Sequence, residues 1–516
     1  MCTFKRTRFI PLLITVLSLT LLKASTANDD LKNRVRTYRM ANEHAIFQEY
    51  FEFLSIPNVA SDRENIRRNA AVLKMMMEKR GINTRLLEPP SGNGAPAVYG
   101  EIKSRGARRT IVFYAHYDGQ PADPSKWIES KPWEPILRTA SLEAGGERIP
   151  ISAYEQEKYP RARIYCRSSS DDKAPIVSMM AALDALRAAK LTPGVNIKFF
   201  FDGEEEAGSP NMEAILLAHK DLLKSDGWLI FDGPVHQNGQ KLIYYGVRGI
   251  ITADITIYGA TRDLHSGHYG NWAPNPALMM SHLLASMKDE DGRVLVEGFY
   301  DGVEPLGEEE RAAIARLPEY DKTLMDELNL SATENPGKQL GELIMLPSLT
   351  INGISSGFVG TQARTSIPST ATARIDMRLV KGNDPYRQFD RLKEHIRVQG
   401  YAIVEHEPKD EERKQYPRLA RVTTRGGYKA FRTSMSLPLS RDVFEAIQQV
   451  SDRPVVEAPT LGGSVPLSFI PDIFGVPVIG VPIVNHDNNQ HSENENLRVQ
   501  NLWDGIEIVA ALMRLR

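Results

Sequence analysis

The sequence predicts an α/β protein, a mainly parallel sheet with helices, into which an α+β segment is inserted. Three observations predict it. Short, strongly apolar runs alternate with helical periods from residue 28 to residue 246; three of these runs end on an acidic or histidine cluster; and between residues 247 and 400 the texture changes to alternation of apolar and polar residues. A continuous apolar run reads as a strand buried on both faces, whereas alternation reads as a strand with one solvated face.

At the start of the chain, Lys5, Arg6 and Arg8 precede an apolar stretch from Phe9 to Leu22 and then Ser25-Thr26-Ala27, which is the tripartite pattern of a secretory signal peptide over residues 1–27, cleaved after Ala27. The apolar stretch is shorter than the roughly 20 residues of a membrane span, so the expectation is export to the periplasm or the medium with no stable span after cleavage. Cys2 and Cys166 are the two cysteines, and loss of the first leaves no internal disulfide. Removing Lys5, Arg6, Arg8 and Lys23 takes the formal charge from -2 to -6, a balance that gives no support for nucleic-acid binding. At 516 residues with 25% charged residues, the chain is globular and too long for one ordinary core.

Thr110-Ile111-Val112-Phe113-Tyr114-Ala115 leads into His116-Tyr117-Asp118. Ile197-Lys198-Phe199-Phe200-Phe201 leads into Glu204-Glu205-Glu206, and Trp228-Leu229-Ile230-Phe231 into Asp232. Ligands of open α/β sheets collect beyond the carboxyl ends of strands, so three strand ends would deliver these side chains to one crevice. A helix starts at Asp171-Asp172, because Asp suits a helix N-terminus and Ile176, Met179, Met180, Leu183 and Leu186 recur at helical spacing. Beyond residue 247, Ile251, Ala253, Ile255 and Ile257 alternate, as do Ala371, Ala373, Ile375 and Met377, with helices over 277–288 and 386–398 and a polar surface excursion over 289–341. Buried-strand character returns in Val476-Pro477-Val478-Ile479-Gly480-Val481, and a helix over 502–515 closes the chain. The expected organisation is therefore a leader at 1–27, a first part of the main domain at 28–246, an inserted domain at 247–400 and a second part at 401–516.

The clusters at residues 116–118, 171–173, 204–206, 232 and 491 match the demand of two divalent metal ions, about two private ligands each and one bridging carboxylate. Imidazole with carboxylate suits zinc, with manganese or cobalt as alternatives. A lone acid at a strand end is usually a solvated turn residue, and a lone histidine usually structural; the ordered set at matching strand ends carries the argument. Glu204 reads as a flanking solvated acid, His486 as a loop residue near His491, and His268 as a neighbour of His265.

At these residues the chain resembles the metallopeptidase family that includes carnosine and cytosolic nonspecific dipeptidases, glutamate carboxypeptidase, aminoacylase and succinyl-diaminopimelate desuccinylase. The likeness is carried by His116-x-Asp118, Ser170-Asp171-Asp172-Lys173, Glu205-Glu206-Ala207-Gly208-Ser209, Asp232, and His491 followed by Asn494-Glu495. Further matches are Asp263-Leu264-His265-Ser266-Gly267, Arg378-Leu379-Val380 and Gly462-Gly463-Ser464-Val465-Pro466. The resemblance implies a zinc-peptidase-like catalytic domain with a ferredoxin-like lid and dimerisation domain. It implies Asp171 as the bridging ligand, His116 and Asp232 on one ion, Glu206 and His491 on the other, and Glu205 as general base. It makes Asp118 the group that orients the His116 ring, and the Asp171-Asp172 peptide cis. In a homodimer His265 would reach the partner's active site and polarise the scissile carbonyl, while Arg378, Gly463 and Ser464 would hold the substrate carboxylate. Where dipeptidase-like members have Gly-Arg-Gly before the bridging aspartate and Gly after the lysine, this chain has Cys166-Arg167-Ser168 and Ala174, which predicts a reshaped loop.

The expected function is an exported, metal-dependent hydrolase of small peptides, of dipeptidase or carboxypeptidase type, with an N-acyl amino acid deacylase of the same family as the alternative. Two readings from other classes are weaker. Gly353-Ile354-Ser355-Ser356-Gly357 fits the nucleophile elbow of serine hydrolases, but no helical period comes after it. A metal-stabilised binding protein without catalysis is opposed by retention of Glu205 beside a full ligand set.

Overall fold

The apolar runs form the middle of an eight-stranded sheet in the computed structural model, which describes the backbone of residues 12–516 and the side chains from residue 30 onward. Of the leader expected over residues 1–27, residues 1–11 lie outside the described residues, and none of its side chains is described. Five of the strands lie in the order Asn83–Leu87, Ala97–Ile102, Asn196–Asp202, Thr110–His116 and Gly227–Ile230. The last three pair in parallel, with His116 level with Asp202, so their carboxyl ends finish side by side. Phe113, Phe199, Phe200 and Phe231 are wholly buried, and the Phe113 and Phe231 rings stack with centroids 5.6 Å apart. Burial on both faces is what the unbroken apolar runs require. The edge departs from the mainly parallel expectation: Asn83–Leu87 pairs antiparallel with Ala97–Ile102, which pairs antiparallel with Asn196–Asp202. A connection of nine residues between the first two strands allows an antiparallel return, whereas a parallel one needs a crossover of a dozen or more.

The chain divides into two units. The first runs through Ile243 and takes up Ser436–Val456 and Ile479–Arg516. Its helices Lys173–Ala188 and Val499–Met513 are buried around nearly their whole circumference, as their apolar composition demands. A four-stranded antiparallel sheet in the same unit, not apparent in the sequence, joins Ile136–Arg138, Arg148–Ile149, Arg163–Tyr165 and Asn496–Arg498. Its pairing of Leu497 with Ile164 brings the segment just before Asp171 beside the segment just after His491.

The second unit comprises Tyr244–Met435 and Glu457–Val478. Gly249–Tyr258 and Thr370–Leu379 pair antiparallel over ten residues, with buried and half-buried residues alternating, in a six-stranded sheet. Helices Pro276–Ala285 and Pro385–Val398 cover the buried face through Met280, Leu283, Leu284, Phe389, Leu392 and Ile396. This α+β unit extends past the expected boundary at residue 400, because Leu419–Thr423 pairs with Gly249–Tyr258 and Ala402–Val404 pairs in parallel with Leu419–Thr423. The polar excursion contains the short helices Glu308–Ala315, Asp321–Glu327 and Leu340–Leu343. Among the described residues no helix is long and apolar enough to cross a membrane.

Candidate metal centre

The parallel strands end where the acids begin. His116 is the last residue of its strand; Glu205 and Glu206 open a short 3-10 turn, Glu205–Ala207, three residues beyond Asp202; and Asp232 lies two residues after Ile230. Two groups of three donors result, His116 with Glu205 and Asp232, and Asp171 with Glu206 and His491, and within each group the donor atoms lie within 4.8 Å of one another. Asp171 stands between the two imidazoles: its Oδ1 is 3.0 Å from His116 Nε2 and its Oδ2 is 3.1 Å from His491 Nε2. His491 Nε2 is also 3.2 Å from Glu206 Oε2, and Glu205 Oε2 is 4.0 Å from His116 Nε2. Donors each about 2.0–2.2 Å from one tetrahedral zinc would stand roughly 3.3 Å apart, so the spacing fits ligands that share a cation.

Charge supports the same fit. Asp118, Asp171, Asp172, Glu205, Glu206 and Asp232 crowd two imidazoles in a largely buried pocket. Burial drives the carboxyl of Asp232 up to about 7 and that of Glu205 well above the usual carboxylate range. Burial opposes a charge on His116, but hydrogen bonds with Asp118 and Asp171 outweigh it and raise the imidazole well above its ordinary value. Hydrogen bonds with Asp171 and Glu206 raise His491 to about 10. Burial also opposes the charge of Asp171, but the two histidines win and hold it below the usual range. A pocket this rich in anions is stabilised by cations.

Asp118 does more than orient a ring. Its Oδ1 lies 3.3 Å from His116 Nδ1, and its two oxygens accept the N–H groups of Glu205 (3.1 Å) and Glu206 (3.0 Å), which ties the histidine strand end to the glutamate turn. Asp172 does not cap the helix beginning at Lys173: its Oδ2 accepts the His116 N–H at 3.2 Å, fastening that helix start to the neighbouring strand. The Asp171-Asp172 peptide is cis. Glu204, expected to be solvated, is buried, because its carboxylate accepts the Ala95 N–H at 3.0 Å and Asn211 Nδ2 at 2.7 Å. The loop with the Ser168 departure keeps a left-handed turn, with Ser168 at φ 61°.

Three further contributors had been given no role at the site. Glu495 is wholly buried and accepts Arg167 Nη1, the N–H groups of Ser168, Ser170 and Asp171, and the Ser170 hydroxyl, all at 2.8–2.9 Å. Gln120 Nε2 donates to Glu206 Oε2 at 2.8 Å. Lys173 has its Nζ buried on Phe53 O (2.8 Å) and Asn69 Oδ1 (2.7 Å), and burial lowers its pKa to about 7. A buried acid four residues after His491 was visible in the Asn494-Glu495 match; the partners of Gln120 and Lys173 are fixed by folding alone.

The remaining predicted site residues belong to the second unit. Arg378 Nη1 donates to Ser464 Oγ at 2.8 Å, Ser464 Oγ donates to Gly249 O at 3.3 Å, and the Gly463 carbonyl accepts the Arg248 N–H at 3.1 Å. His265 is exposed, its Nδ1 accepting the Gly267 N–H at 3.1 Å, with the His268 ring 4.4 Å away. Ser355 of the Gly-x-Ser-x-Gly match ends the exposed edge strand Ser348–Ser355, and the next element is a three-residue 3-10 turn, Gly360–Gln362, in place of the α-helix that an elbow needs.

Residues 112–515 match the model of a family described as Peptidase family M20/M25/M40. The chain is 30% identical over 341 residues to the Beta-Ala-His dipeptidase of Homo sapiens, covering 63% of this chain and 62% of that protein. It is 26% identical over 324 residues to the Cys-Gly metallodipeptidase dug1 of Schizosaccharomyces pombe, covering 62% and 64%. The match thus spans less than two thirds of the length of either relative. Among solved structures, the M20 family metallo-carboxypeptidase Sso-CP2 of Sulfolobus solfataricus aligns with a TM-score of 0.75 at 26% identity, covering 91% of this chain and 98% of that one. The dipeptidase Dug1p of Saccharomyces cerevisiae shares the fold, with a TM-score of 0.73 at 21% identity over 95% and 98%.

Proposed function

The chain belongs to peptidase family M20/M25/M40, and from that membership we propose that it is a metal-dependent hydrolase of small unblocked peptides, a dipeptidase or carboxypeptidase, acting with two divalent ions. The observation that carries this is Asp171, with one carboxylate oxygen facing His116 and the other facing His491, each within a separate group of donors. Asp171 would be shared by the pair; His116 and Asp232 would complete one ion's set, and Glu206 and His491 the other's. Zinc fits imidazole with carboxylate, and manganese or cobalt would fit too. When bound, such ions polarise a carbonyl and acidify water.

The chain's own groups do the rest. Glu205 takes the proton of the attacking water and delivers it to the leaving amine, a role suited to a carboxyl whose pKa burial has raised. Asp118 holds the His116 ring in one orientation. Arg378 and Ser464, with the Gly463 turn, hold the free carboxylate of the substrate; a guanidinium offers a planar fork for it. In a homodimer, His265 serves the partner's site by polarising the scissile carbonyl. The names of the two dipeptidase relatives make Beta-Ala-His and Cys-Gly the first substrates to try. The leader makes this an exported enzyme, and intact mass of the protein recovered from the exporting cell should place its first residue near Asn28; a retained Met1 reverses the assignment.

The test is a substrate panel on zinc-loaded protein: Beta-Ala-His, Cys-Gly, their C-terminal amides and N-acetyl amino acids. Losing a charge-assisted hydrogen bond costs on the order of 1.5–3 kcal/mol, so free dipeptides should exceed their amides in kcat/KM by at least about tenfold. Equal cleavage of acid and amide removes the carboxylate clamp. Turnover of N-acetyl amino acids alone replaces a peptidase with a deacylase.

A further inference from the structure

Asn58 stands outside every motif, yet it touches both metal-bearing loops of the first unit. It is wholly buried. Its Nδ2 donates to Tyr117 O at 2.9 Å and to Ser168 Oγ at 2.8 Å; its Oδ1 accepts Trp133 Nε1 at 3.0 Å; and its backbone carbonyl accepts the Gly119 N–H at 2.9 Å. Both N–H groups and the oxygen of the amide are therefore engaged, with one N–H on the carbonyl of Tyr117, between His116 and Asp118, and the other on a residue three before Asp171. A buried amide engaged at every polar atom fixes the groups it joins more firmly than packing alone, because each broken bond would leave a polar atom without water.

Ser168 occupies a conformation that residues with side chains rarely adopt, at φ 61°. Three bonds hold it there: its N–H on Glu495 Oε2 at 2.8 Å, its carbonyl accepting the Lys173 N–H at 3.3 Å, and its hydroxyl accepting from Asn58. The hydroxyl has room because residue 119 has no side chain. A Cβ on Gly119 would fall 2.2 Å from Ser168 Oγ and 3.0 Å from Asn58 Nδ2. Gly119 is not in the positive-φ region, so its lack of a side chain serves space and not backbone freedom.

We propose that Asn58 and Ser168 are positioning residues forming a polar clasp, which sets the separation between the strand end carrying His116 and Asp118 and the loop carrying Asp171. Gly119 supplies the gap that the clasp needs. This inference rests on the two-ion reading above. The Ser168 departure is thus part of a three-residue unit, in which a hydroxyl takes up space that a glycine leaves open.

The experiment compares the parent chain with Ser168→Ala, with Gly119→Ala, with Ser168→Gly, and with Gly119→Ala in the Ser168→Gly background. Zinc affinity is read by competition with a chromophoric chelator, kcat and KM with a free dipeptide, and stability by the urea midpoint. Loss of a group that orients metal ligands costs about 10–100-fold in metal affinity, so Ser168→Ala should weaken zinc binding by at least about tenfold. It should lower kcat with KM changed by less than about twofold, while the urea midpoint falls, since a buried N–H of Asn58 loses its acceptor. Gly119→Ala should cost at least about tenfold less zinc affinity in the Ser168→Gly background than in the parent, since contacting residues couple. Equal costs in both backgrounds, or parental zinc affinity in Ser168→Ala, overturn the clasp while leaving the peptidase reading intact. Should Gly119→Ala fail to fold, the Ser168→Ala measurement decides alone. A parent chain that binds none of zinc, manganese or cobalt overturns the two-ion reading and the clasp with it.

Discussion

Adjacent glutamates divide the chemistry at the scale of single residues. Glu205 and Glu206 are neighbours in one turn, both held by their backbone N–H groups on Asp118, yet their carboxylates join different donor groups. If Glu205 moves protons and Glu206 binds metal, Glu205→Gln keeps its zinc while turnover falls by about 10²–10⁴-fold, the usual worth of general acid–base catalysis. Glu206→Gln should instead lose zinc. Metal content and turnover measured on both variants check this; an active Glu205→Gln enzyme removes the base from that position. His116, Glu205, Glu206 and Asp232 were legible as candidate donors because each comes after an apolar run, and a parallel strand aims the residues at its carboxyl end into the crevice, whereas Asp171 and His491 follow polar segments and were picked out by the ordered set. Glu204 was misread because its burial depends on Asn211 and the Ala95 N–H, partners that only the folded chain brings near. Asn58 and Gln120 left no trace in the sequence for the same reason.

The elements that seat His491 are held by an ion-pair knot. Asp487 precedes the strand Asn496–Arg498, and its Oδ2 accepts Arg163 Nη2 at 2.6 Å from the neighbouring strand and Arg498 Nη2 at 2.5 Å. Burial opposes its charge, but these donors and Asn485 outweigh it and hold the carboxyl well below the usual range. A folded-state pKa below the unfolded value of about 3.9 contributes stability that is present above that value and lost as pH falls through it towards the folded one. The side chain is 36% exposed, so solvent screening reduces the contribution, and Asp487→Asn should destabilise by about 1–2 kcal/mol at neutral pH. Urea midpoints of variant and parent should draw together between about pH 5 and pH 3, through the carboxylate range; a constant gap means the charge of Asp487 is not what matters. The helices and the long strands of both units were legible from their periods, whereas this four-stranded sheet was not. Its strands have two or three residues, too few to establish a period, and its order joins segments more than 300 residues apart.

For the molecule as a whole, the change from continuous to alternating apolar pattern falls near residue 247 and the second unit starts at Tyr244; strands covered on both faces and strands with one wet face differ in composition. Its far boundary at Met435 was missed, since Leu419–Thr423 reads the same whichever sheet it joins. If His265 serves a partner's site, mixing the inactive variants His265→Ala and Glu205→Gln should restore some turnover through mixed dimers with one intact site. Demonstrated subunit exchange without any return of turnover excludes sharing in trans. The central claim, hydrolysis by two divalent ions on donors centred at Asp171, is tested most directly by titrating chelator-stripped protein with zinc, counting bound ions by mass spectrometry and measuring turnover of a free dipeptide at each step. The account predicts no turnover in the stripped protein and full turnover only as bound zinc reaches two per chain. Turnover without metal, or full turnover at one ion with no second ion bound, would contradict it.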